Sequence, residues 1–225
     1  MFRSIFCMIC LFSSSLSAGS LPQGTIADRM RTFGPAVEAR LKPDFDKAGV
    51  AWPPRRVLLL GLKDERILEL YAADDASAWR HIRSYPVLAA SGKLGPKLKQ
   101  GDYQVPEGIY GIEYLNPNSL YHLSLKISYP NDFDRRQAKS EGRSKLGGDI
   151  MIHGKAVSIG CLAMGDPAAE ELFVLAEKTG IQNITVLLSP VDFRTRDFSP
   201  ANAKPWVQTL YEQLRTKLKE LPKAP

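Results

Sequence analysis

A histidine and a cysteine with complementary acid–base chemistry lie in the string His153-Gly154-Lys155-Ala156-Val157-Ser158-Ile159-Gly160-Cys161. A thiol becomes a nucleophile for acyl transfer when a base deprotonates and orients it and hydrogen-bond donors meet the oxyanion that forms. His153 is the candidate base and Cys161 the candidate nucleophile. A turn must bring the imidazole back beside the sulfur. Gly160 permits close backbone approach, so the amides around Gly160 and Cys161 are the expected oxyanion donors. The base needs an orienting partner on its other nitrogen; no Asp or Asn stands out locally, and a backbone carbonyl near Gly154 is the candidate. The spacing of Ser158 suits a turn hydroxyl rather than a rival nucleophile.

The other two cysteines, Cys7 and Cys10, sit in the opening segment. Arg3, a mostly apolar run from Ser4 to Phe12 and the small residues Ser13 to Gly19 form the pattern of a cleaved export signal. The apolar run is shorter than the about 20 residues that a membrane-spanning helix needs. Residues 1–19 are therefore expected to be a signal peptide, and the mature protein to be soluble in the periplasm or otherwise exported. Cys161 would then be its only thiol. In an oxidising compartment an unused thiol is a liability, which favours catalysis over the structural role that a buried cysteine or core histidine usually has. A redox protein would need a second thiol for resolution.

Lys and Arg number 30 against 24 Asp and Glu, a formal charge of +6. Loss of Arg3 with the signal leaves 29 − 24 = +5. This diffuse excess suits polyanions, including carboxylate-rich cell-wall material. Lys93, Lys97 and Lys99 cluster without interleaved aromatics, so nucleic acid is not an expected partner and a solvated surface is the default for them. His81, His122 and His153 lack metal-ligand spacing, and Asp132, Asp134 and Glu141 belong to a charged stretch. No metal or other cofactor is expected. His81, between Arg80 and Arg83, reads as exposed, whereas His122 could point into a groove.

The elements that must position the pair follow from periodicity. Residues 20–54 read as a helical lead-in with Val37, Leu41 and Phe45 on one stripe, kinked or split at Pro43. Val57–Leu62 and Ile67–Tyr71 form a hairpin, and Trp79–Ala90 a strand interrupted by Pro86. Ser91–Gly108 is a long ordered loop. Ile109–Leu115 and Tyr121–Tyr129 are strands, Asn131–Gly148 a charged loop, and Asp149–His153 a strand with Met151 and His153 on one face. Asp166-Pro167 starts a helix with the carboxylate as N-cap, and Gly180 ends it. Ile184–Leu188 is a further strand, and a helix from Pro205 closes the chain. Strands outnumber helices without regular alternation, which predicts a strand-rich α+β fold. The expected division is 55–195 as the catalytic domain, with 196–225 as a C-terminal helix packed on it.

Ile152-His153-Gly154 with Ser158-Ile159-Gly160-Cys161-Leu162 resembles the active-site signature of YkuD-type L,D-transpeptidases, above all their YafK-like branch. Gly101 to Tyr110 is similar to that family's Thr-Pro-x-Gly-x-Phe/Tyr element, and the likeness spans roughly Arg56 to Leu188. It implies a β-sandwich-like domain with a few packed helices and the cysteine in a groove. It implies Cys161 as nucleophile, His153 as base and later acid, the Gly154 carbonyl as orienting partner, and Tyr110 and His122 as candidate groove residues. The implied reaction is acyl transfer on peptidoglycan stem peptides through a thioester, at an L-centre such as meso-diaminopimelate. The near alternative is hydrolysis of a peptidoglycan–lipoprotein link, with a wall-anchored lipoprotein as partner; the distant one is a non-catalytic wall-binding module. Two departures stand out: only Lys155-Ala156-Val157 separates His-Gly from Ser158, and Ile159 and Ala163 occupy places where many members carry basic residues.

Overall fold

The apolar run in strand β1 (Arg56–Leu62) is buried on both faces, and the fold is arranged around it. Val57 and Leu59 join one core, while Leu58, Leu60 and Leu62 join another on the opposite side. Alternation with period two therefore splits one run between two layers. The computed structural model describes residues 21–75, 78–201 and 203–224, so the expected signal peptide lies outside the described residues.

Strand β1 hairpins with β2 (Ile67–Ala73), which pairs with β3 (Arg80–Pro86). On its other side β1 runs parallel to β9 (Ile184–Ser189), and β4 (Gly108–Tyr110) closes this five-stranded sheet. A second sheet has the order β5 (Ile112–Ser119), β6 (His122–Ile127), β7 (Met151–His153), β8 (Leu162–Ala163). Its pairs are antiparallel except β7 with β8. Between the sheets lies the larger core, completed by helices α1 (Ile26–Ala48) and α3 (Asp166–Thr179). The opposite face of the first sheet packs against the end of α4 (Pro205–Leu218), through Leu218 and Leu221. The protein is α+β, with mixed sheets and four α-helices among the described residues.

Helix α1 is continuous through both Pro35 and Pro43, where a kink or split was expected at the second. Both prolines face solvent, where a freed carbonyl can be hydrated, while the buried stripe Val37, Leu41 and Phe45 holds the helix to the core. A capping box of Thr25 and Asp28 starts it. The segment expected as a charged loop contains helix α2 (Asp132–Ser140), started by a second box in which Asn131 and Asp134 exchange hydrogen bonds. With Ala138 its only buried residue, this helix has no apolar stripe to announce it. The single strand expected over Ile109–Leu115 is two strands in different sheets. The chain crosses at Gly111, whose amide donates to Ser128 Oγ (2.8 Å) and whose carbonyl accepts from the Ser128 amide (3.0 Å). At α3 the N-cap is Gly165, not Asp166, and the Asp166 carboxylate is used elsewhere.

Candidate active site

The loop before β4 forms one wall of the site and is held by two carboxylates, the half-buried Asp102 and the buried Glu107. Asp102 accepts the amides of Leu98, Lys99 and Gln104 at 2.9–3.1 Å and pairs with Lys97. Lys97 is thus a buried structural lysine, not the solvated one expected. Glu107 accepts Lys63 Nζ (2.9 Å) on one oxygen and the Tyr211 hydroxyl (2.7 Å) on the other. Lys63 also donates to the carbonyls of Gly95 and Val105, so this loop is fastened both to the residue that follows β1 and to α4.

This wall faces a cleft of about 510 Å³ whose other side carries His153, Ser158 and Cys161. The Gly154–Cys161 connection joins the parallel strands β7 and β8 without a helix and folds over the cleft. His153 Nδ1 lies 2.6 Å from the Gly154 carbonyl oxygen. A carbonyl only accepts, so Nδ1 carries the proton and Nε2 is the basic nitrogen; Nε2 has no hydrogen-bond partner among the described residues. The imidazole also lies against the Tyr121 ring, with centroids 4.7 Å apart. Gly154 is required sterically, because a Cβ there would come within 2.6 Å of Asp166 Oδ1 and 2.7 Å of the Tyr121 carbonyl oxygen.

Cys161 Sγ accepts the Met151 amide (3.4 Å) and donates to the Asp149 carbonyl (3.7 Å). Burial pushes the thiol above its usual pKa, only partly offset by the Met151 amide. Burial lowers His153 below the usual imidazole value, against the opposing hydrogen bond to Gly154. Both directions favour a neutral thiol and a neutral imidazole at pH 7, so the sulfur requires a proton acceptor to react. In this structure the thiol hydrogen bond goes to Asp149 rather than to His153; catalytic hydrogen bonds often tighten only with substrate bound.

Four sequence expectations are corrected. The amides of Gly160 and Cys161 donate to Ser158 Oγ (3.2 and 3.0 Å), so the expected oxyanion donors are occupied; the same hydroxyl donates to the Cys161 carbonyl (2.7 Å). Tyr110 does not line the cleft: it is buried, with its hydroxyl on the Glu107 carbonyl and its ring against Tyr129. His122 does not line it either, because its Nε2 engages Glu170 (3.0 Å) and its ring meets Phe33. His81 is half-buried against Tyr71 and bonds Ser84 rather than standing exposed. Tyr121 and Asp149 were missed as neighbours of the pair, since neither belongs to the His-Gly or Gly-Cys string. Around the cleft mouth Tyr103, Val157 and Ile159 are exposed apolar side chains.

The family model of the L,D-transpeptidase catalytic domain, YkuD, matches residues 55–188. YafK of Escherichia coli (strain K12), itself only provisionally named an L,D-transpeptidase, is 40% identical over 113 residues, covering 49% of this chain and 43% of that protein. The match thus spans less than half the length of that relative. Among solved structures, the helical cell shape determining protein Pgp2 of Campylobacter jejuni aligns at 18% identity with a TM-score of 0.49, covering 73% of this chain and 69% of that one. Bd1075 of Bdellovibrio bacteriovorus aligns at 21% identity and a TM-score of 0.45, covering 75% and 56%.

Proposed function

Because the chain belongs to the YkuD family of L,D-transpeptidase catalytic domains, we propose that it is an exported cysteine acyltransferase acting on peptidoglycan stem peptides. The observation that carries this reading is the state of His153. Its Nδ1 proton is committed to Gly154, its Nε2 is unpartnered, and it shares a cleft with the only cysteine among the described residues.

On substrate entry the Cys161 thiol turns from the Asp149 carbonyl and gives its proton to His153 Nε2. The thiolate, held by the Met151 amide, adds to the carbonyl carbon of the stem peptide. The imidazolium then returns the proton to the departing amine as the C–N bond breaks, leaving a thioester on Cys161. An incoming amine gives its proton to Nε2, attacks the thioester and forms a new amide, and the thiolate leaves and is reprotonated. The low basicity of a buried imidazole suits both directions of this proton traffic.

The test is incubation with purified muropeptides and an added D-amino acid, followed by intact-mass and product analysis. The expected results are an acyl adduct on the parent protein, amide exchange in the products, and neither in Cys161→Ala. Hydrolysed products without exchange would replace transfer by hydrolysis. Turnover that survives in Cys161→Ala would overturn the cysteine mechanism.

A further inference from the structure

Resting on the reading of His153 as the base, we propose that Asp166 is a positioning residue for its imidazole, acting through the peptide unit between Gly154 and Lys155. One end of that unit, the Gly154 carbonyl, receives the Nδ1 proton at 2.6 Å. The other end, the Lys155 N–H, donates to Asp166 Oδ1 at 2.9 Å. The peptide is planar and conjugated, and hydrogen bonds in series polarise one another. The carboxylate is therefore presented to the imidazole at one remove. A Cys-His pair with no acidic side chain against the histidine thereby acquires the orienting negative charge that a triad carries directly.

Three further observations support this arrangement. The carboxylate lies flush against the turn, where a Cβ on Gly154 would meet Oδ1 at 2.6 Å. Lys155 adopts φ +58°, a conformation that non-glycine residues hold only when their surroundings impose it. Asp166 is also kept ionised: burial would raise it, but the Lys155 ammonium (2.7 Å) and amide hold the carboxyl below its ordinary value. Its place in the first turn of α3 favours a negative charge as well. The other titratable groups nearby are His122, whose Nδ1 is 3.9 Å from Asp166 Oδ2, and Glu170, bonded to His122 Nε2.

The experiment follows the His153 titration by NMR in a Cys161→Ala background, and the alkylation rate of Cys161 in the otherwise native protein. Asp166→Asn retains an acceptor for the Lys155 amide but removes the charge. It is expected to lower the His153 midpoint by about half a unit or more and to slow alkylation several-fold. Asp166→Glu and Glu170→Gln are expected to titrate with the parent. A half-unit shift in either overturns the relay, the first because charge is not the cause and the second because any nearby carboxylate suffices. An Asp166→Asn protein that loses melting temperature without moving the His153 midpoint overturns it as well. His153→Ala separates the two levels. If it leaves alkylation unchanged, the base assignment itself fails. If it abolishes fast alkylation while Asp166→Asn matches the parent, the base stands and the relay falls.

Discussion

The two sides of the cleft that holds His153 and Cys161 are held very differently. On the His153 side, the imidazole has a carbonyl on Nδ1 and the Tyr121 ring against one face, and the turn that follows is packed too tightly for any residue but glycine. On the Cys161 side, the sulfur has two long hydrogen bonds, and the loop leading to it exposes Val157 and Ile159. Positional precision is concentrated on His153, the proposed base, and Cys161, the proposed nucleophile, is left room to turn. Under the proposed mechanism that division would suit a sulfur that meets a substrate carbonyl, exchanges a proton and then carries a bulky acyl group.

Breaking the proposed reacting pair should have the largest effect. His153→Ala is expected to lower kcat by about 10² to 10⁴, with Cys161→Ala inactive, measured as muropeptide turnover. Gly154→Ala should cost about 1–3 kcal/mol of stability, because Asp166 and the Tyr121 carbonyl must retreat; thermal unfolding and turnover should both drop. The pH profile sharpens the comparison at intermediate size. Burial lowers the His153 pKa, so the acid limb of kcat/KM should fall below the usual imidazole value of about 6.5. Below that limb the rate should decrease about tenfold per pH unit as the base is protonated. A limb at or above the ordinary value would show that the imidazole is not the buried group described. Changes at the cleft mouth should be smallest: Ile159→Ser should raise KM a few-fold and leave kcat near the parent, since only exposed apolar area is lost.

The parts legible in the sequence are those where periodicity or residue chemistry has one solution. The β1–β2 hairpin, helix α3 and the terminal helix show themselves through buried apolar residues at fixed spacing. Helix α2 does not, because its start is written in polar capping residues and only Ala138 is buried. The crossing at Gly111 is hidden because the apolar pattern runs through it while the partner sheet changes. At the site, residue type drew attention to His153 and Cys161 and to Gly154 and Gly160 between them. What type could not show is which polar group takes which partner. Ser158 occupies the two amides, Glu170 holds His122, and Asp166 turns from its helix to the neighbouring loop. Each of these choices depends on long-range packing.

The position of Glu107 has a consequence well away from the sulfur. Its two oxygens tie the loop opposite Cys161 to Lys63 and, through Tyr211, to the last helix of the chain. Removing the Tyr211 hydroxyl strips a buried carboxylate of a donor, a loss of order 1–3 kcal/mol, and the strain falls on the residues that border the entrance. Sequence change near the carboxyl terminus would thus reshape the mouth of the cleft, with His153 and Cys161 themselves untouched.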